Sequence, residues 1–72
     1  MTGYQTLANA IVIQAAKDYK SAVRTLRNHP ESKAARAEAL KLEKFFRSGW
    51  YKMLTDIDGE YLIKRLRKAV IK

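Results

Sequence analysis

Asp56, Asp58 and Glu60 stand at alternate positions in the segment TDIDGEYLI. Carboxylates this close can do two kinds of chemistry: hold a divalent cation together, or divide the roles of general acid and base. A calcium loop of the helix–loop–helix type needs a glycine at its sixth position and a glutamate at its twelfth. Counted from Asp56, the glycine (Gly59) comes fourth and the twelfth residue is Arg67, a cation. An acid–base pair also needs a pocket, which a short chain has little interior to build. The plainer reading is local. Thr55, Asp56 and Asp58 can accept hydrogen bonds from the free N–H groups of a starting helix, and their charge suits its positive end.

Other reactive arrangements are missing. There is no cysteine, hence no disulfide, thiolate metal ligand or thiol nucleophile. The one histidine, His29, cannot make a zinc cluster, and Ser21, Ser32 and Ser48 would have to share it. No glycine-rich phosphate loop and no GxSxG elbow occurs. The sequence predicts a protein that is not an enzyme, with no catalytic residues, cofactor or metal.

The cations say more. Fifteen Lys and Arg against seven Asp and Glu give a formal charge of +8. That balance points to a negatively charged partner: nucleic acid, a membrane surface or an acidic protein. On helical spacing Lys17, Lys20, Arg24 and Arg27 form one basic stripe, and Tyr61, Lys64, Arg65 and Lys68 form another, continued by Lys72. A tyrosine among cations can stack on a base while the cations take phosphates. These eight residues, Lys17 to Arg27 and Tyr61 to Lys68, are the candidate binding set. The stretch around Glu31, Lys33, Arg36, Glu38, Lys41, Glu43 and Lys44 mixes signs and reads as a plain solvent face with local ion pairs. Lys33 to Arg67 can be drawn as a helix-turn-helix, but ten residues separate Arg47 from Asp58, and the last helix has no Asn or Gln to read adenine. Phosphate binding is better supported than base reading.

The elements that must carry these stripes follow from the breakers, one proline (Pro30) and three glycines (Gly3, Gly49 and Gly59). A first helix is expected from Tyr4 to Arg27, with Thr2 and Gln5 spaced as a capping box. Its apolar face runs Tyr4, Ala8, Ile11, Val12, Ala15, Ala16, Tyr19, Ala22, Val23 and Leu26. Asn28-His29-Pro30 makes a turn, and a second helix from Pro30 or Ser32 to Arg47 presents Ala35, Ala39, Leu42 and Phe46 as a seam. A short connection makes the two antiparallel. Ser48 can cap a short helix, Gly49 to Leu54, turning Trp50, Met53 and Leu54 inward onto Phe45 and Phe46. A last helix from Asp56 or Asp58 to Val70 packs Leu62, Ile63, Leu66, Ala69 and Val70.

The expected fold is thus all-α, a single domain over residues 1–72: an antiparallel helical hairpin, a short helix and a C-terminal helix packed as a small bundle. A chain this size buries only roughly 60% of its unfolded surface, so the core is thin. Ile13 and Leu40 fall on polar faces, which leaves a homodimer open. No stretch is long and apolar enough to span a bilayer and no targeting segment is visible, so the cytoplasm is the expected compartment.

The run FFRSGWYKMLTDIDGEYLIKRLR, with AIVIQAAKDYKSAVRTLR and the NHPES turn upstream, resembles small proteins encoded by prophages and mobile elements of Gram-positive bacteria. The resemblance covers most of the chain, carries no catalytic signature and assigns no functional residue. It implies a bacterial cytoplasm and a phage accessory role. The reading that results is a non-catalytic phage accessory protein that binds nucleic acid mainly through backbone phosphates. The alternative is an interaction module, a regulator or inhibitor, docking on an acidic surface of a host or phage protein.

Overall fold

Hydrogen bonds at the breaks define four helices in the computed structural model, which describes residues 3–71. The first, α1, runs Gly3–Asn28. The expected Thr2–Gln5 box lies outside the described residues. The His29 N–H closes the last turn of α1 on the Thr25 carbonyl at 2.7 Å, and the Ser32 N–H returns to the His29 carbonyl at 3.0 Å. Ser32 then caps α2, Lys33–Phe46, its hydroxyl accepting from the Ala35 N–H at 3.2 Å. Ser48 ends one helix and starts another: its hydroxyl donates to the Phe45 carbonyl at 2.7 Å and accepts from the Tyr51 N–H at 3.2 Å. Helix α3 spans Gly49–Leu54 and α4 spans Gly59–Ile71.

The start of α4 differs from expectation. Thr55 accepts from the Ile57 N–H at 3.3 Å within the connecting turn, and Asp58 contributes its backbone carbonyl, which accepts from Leu62. Among the described residues, no Asp56 or Asp58 carboxylate caps the helix. Backbone proximity shapes this corner instead. A Cβ on Gly59 would lie 1.9 Å from the Phe46 carbonyl oxygen, so only glycine lets α4 begin against the end of α2.

The helices make the small all-α bundle that the sequence implies, with α1 and α2 antiparallel. Ala15 and Ala22 on α1 and Ala35 and Ala39 on α2 are buried, and their small side chains allow close approach. Pairings advance together along α1 and α4 (Tyr19 with Arg67, Arg27 with Val70), so these two run the same way. Tyr19, Phe46 and Tyr51 are the largest fully buried side chains. Phe46 meets Tyr19 edge-to-face at 5.8 Å and Tyr51 at 5.6 Å, and Tyr51 meets Phe45 at 5.8 Å. Edge-to-face geometry sets the positive ring edge on the negative ring face.

The expected inward turn of Trp50 and Met53 is wrong: Trp50 is 57% exposed and Met53 81%. Tyr51 occupies the place assigned to Trp50. A six-residue helix buries one narrow stripe, and the Ser48 cap fixes its phase one residue further along. Leu54 is half-buried, and Ala69, expected in the core, faces out.

Candidate nucleic-acid interface

Both basic stripes ride on helices packed directly against each other, α1 and α4. Lys17, Arg24, Lys64, Arg65 and Lys68 are exposed, and Lys20 is half-buried. Tyr61 is exposed, with the Arg65 guanidinium 5.9 Å from its ring centroid, inside cation–π range. Arg27 has an added duty. Its Nη1 donates to the Val70 carbonyl at 2.7 Å, satisfying an end group of α4 that the helix itself leaves unpaired. A cation there also suits the negative end of the helix. This bond brings the end of the first stripe to the end of the second.

A polar layer running from the core to the surface ties the two helices together. The Tyr19 hydroxyl donates to Glu43 Oε2 at 2.6 Å, and Arg67 Nε donates to the Tyr19 hydroxyl at 2.8 Å. Arg67 Nη2 also donates to Glu43 Oε2, closing the ring of partners. Glu43, read from sequence as part of a solvent face, is buried at 8% exposure. Burial by itself would raise its pKa. The hydrogen bonds from Tyr19 and Arg67, with the charges of Arg67 and Arg47, outweigh that and hold the carboxyl below its ordinary range. Burial, then the bond to Glu43, pushes the Tyr19 hydroxyl up, so it stays a donor. Arg67 is raised, first by its bond to Tyr19 and then by Glu43.

A signal for this layer was present in the sequence. Tyr19 follows Ala15 by four and precedes Ala22 by three; Glu43 stands likewise between Ala39 and Phe46, and Arg67 between Ile63 and Val70. All six flanking residues are buried. Each polar residue therefore occupies a seam position on its own helix, which charge alone concealed.

Among the described residues three acids, Glu31, Glu43 and Glu60, form ion pairs with cations outside the stripes. Glu60, in the first turn of α4, bonds Arg47, and that bond before all else lowers its pKa and raises that of Arg47. Arg47 also stands 3.5 Å from Glu43. Among the described residues the ion pairs engage Arg47, Arg67 and His29, and no member of the candidate set. The acids Asp56 and Asp58 share a surface cavity of about 510 Å³ with Arg47, Lys52 and Tyr51. No group of three potential ligands among the described residues is placed to hold a metal ion. Near them the buried Tyr51 hydroxyl has no hydrogen-bond partner, and burial, then the charge of Asp58, raises its pKa.

The connection between α3 and α4, residues 55–58, has the length of a helix-turn-helix turn, because α3 fills most of the gap after Arg47. Among the described residues no helix is long and apolar enough to cross a membrane. Comparison with family models, curated proteins and solved structures found no match for the chain.

Proposed function

We propose that the protein is a non-catalytic nucleic-acid-binding module that engages backbone phosphates through the outer faces of α1 and α4. The observation that carries this reading is the separation of charge. Glu43 and Glu60 neutralise Arg47 and Arg67 between the helices, while Lys17, Lys20, Arg24, Lys64, Arg65 and Lys68 enter no ion pair among the described residues. Cations left unpaired on adjoining helices suit a polyanion with regularly spaced charge, and Tyr61 beside Arg65 adds a surface on which an unpaired base can stack. The resemblance to prophage-encoded proteins supplies a setting, an accessory role in a bacterial cytoplasm.

Titration of short single- and double-stranded DNA and RNA at moderate salt tests the reading. Binding should weaken with salt, with a slope of log affinity on log salt near −0.9 per phosphate contact on duplex DNA. Lys64→Ala with Lys68→Ala should flatten that slope for all sequences alike and leave the fold intact. Tyr61→Ala should act mainly on single strands, by about 1–3 kcal/mol per stacked base. A folded protein that binds none of these at high micromolar concentration would return the stripes to the alternative, an acidic protein surface.

A further inference from the structure

Among the described residues the three most exposed large apolar side chains are Met53, Leu7 and Trp50, at 81, 61 and 57%. All three line one groove of about 700 Å³ between the first half of α1 and α3, with Ile11 at its floor. Ile11 also lines a second groove of about 580 Å³, which continues between α1 and the end of α2 past Ala10, Leu42 and Phe45. Together they make one apolar track along α1. Ile13 and Leu40, the apolar residues that the sequence places on polar faces, line neither groove.

The track exists because α1 outreaches its partners. Its 26 residues extend about 39 Å, whereas the 14 of α2 extend about 21 Å. Helix α2 is occupied mainly by the middle of α1, where Ala15, Tyr19 and Ala22 join Ala39, Leu42 and Phe46 in the core. Toward the start of α1, six-residue α3 stands beside it, and the end of α2 reaches only as far as Ala10 and Ile11.

Charge points to the occupant. No acidic or basic side chain occurs from Met1 to Ala16, and all fifteen bases and seven acids lie beyond. The charged side chains of the track stand at its ends, Asp56 at one and Asp18 and Lys41 at the other. A highly charged partner finds little along the middle to select it. A second copy fits better than any such partner. Antiparallel pairing of the two uncharged helix halves covers the track on both copies and sets the two strongly basic bodies at opposite ends, where they repel least. Tryptophan and methionine are also enriched in protein–protein contacts, and a tryptophan in a desolvated pocket is a usual anchor. We propose that this track is the interface of a homodimer, in which the N-terminal half of α1 from each copy seats against Leu7, Trp50 and Met53 of the other.

Sedimentation of the full chain from low to high micromolar concentration tests this. A monomer–dimer equilibrium is expected, with the dissociation constant at least about tenfold larger in Met53→Glu and in Leu7→Glu. Both residues are exposed in the monomer, so both variants should keep the helical circular dichroism of the parent. Trp50 is the only tryptophan, so its emission reports the interface directly. It should move to the blue as the parent associates and stay red in Met53→Glu. Added salt should leave the dimer unchanged or tighten it. A chain that stays monomeric at every concentration, or a dimer indifferent to both variants, overturns the proposal. So does a monomer whose Trp50 shifts to the blue only on phosphatidylcholine–phosphatidylglycerol vesicles, an outcome that assigns the track to a lipid surface.

Discussion

Trp50 and Tyr51 are neighbours in the chain and opposites in environment: Tyr51 is 1% exposed and Trp50 57%. They mark two regions of different character. Around Tyr51 lies the centre of the bundle, where Tyr51 meets Phe45 and Phe46 edge to face, Phe46 meets Tyr19 likewise, and the Tyr19–Glu43–Arg67 layer joins three helices. Around Trp50 lies the apolar track, with large side chains in contact with solvent. Composition alone does not separate them, since both hold aromatic residues on the same short helix. The centre is defined by neighbours on several helices; the track is what remains where one helix outruns the others.

The sharpest break between the regions should come from truncating one aromatic in each. Phe46→Ala should cost about 3–5 kcal/mol, which is most of what a domain this small has to lose. Trp50→Ala should change the stability of the monomer by no more than about 0.5 kcal/mol, as exposed substitutions do. Thermal or urea melting of both, at a concentration low enough to keep the chain monomeric, checks the contrast. Equal losses would show that Trp50 belongs to the core.

The two glycines sharpen the same contrast at the level of the backbone. Gly59→Ala would drive a methyl into the Phe46 carbonyl, and α4 would have to move off α2; a loss of about 1–3 kcal/mol is expected. Gly49, at the start of α3, has nothing within 4 Å of a built Cβ. Gly49→Ala should therefore be neutral or slightly stabilising, by up to a few tenths of a kcal/mol, since alanine loses less backbone freedom on folding. Urea midpoints for the pair, with unchanged m-values, would measure the difference.

The polar layer of the centre should also leave an acid limb in the stability profile. The Glu43 carboxyl is held below its ordinary range in the folded chain, so in acid the unfolded chain binds more protons. Its stabilising contribution is present above the unfolded value, near 4.3, and is lost as pH falls from there through the folded value. Glu43→Gln should lower stability at neutral pH and flatten that limb. Urea melts across the acid range compare the variant with the parent.

Much of the layout was legible from residue types and spacing. Serines at 32 and 48 with a polar hydroxyl to offer, one proline at 30 and the alanine-rich seam of α2 are local features, and local hydrogen bonding and backbone restriction decide where a helix starts and stops. The outward placement of Lys64, Arg65 and Lys68 was equally readable, because the apolar residues of α4 leave them no other side. By contrast, the carboxylates at 56 and 58 were read as caps, while the fold begins α4 at the glycine between Asp58 and Glu60, where the backbone of α2 stands close.

What the sequence by itself determined, then, is the set of helices, their approximate ends and the faces too charged to bury. Tertiary structure alone decided which of two adjacent aromatics entered the core, because the phase of a short helix depends on the turn that launches it. It also decided that Glu43 would be buried and that Arg67, half exposed, would reach in to it. A charge is buried only when partners from other helices satisfy it, and Tyr19, Glu43 and Arg67 are separated by 24 residues or more in the chain. Periodicity places each of them on a seam of its own helix; only the docking of three seams brings them within hydrogen-bonding distance.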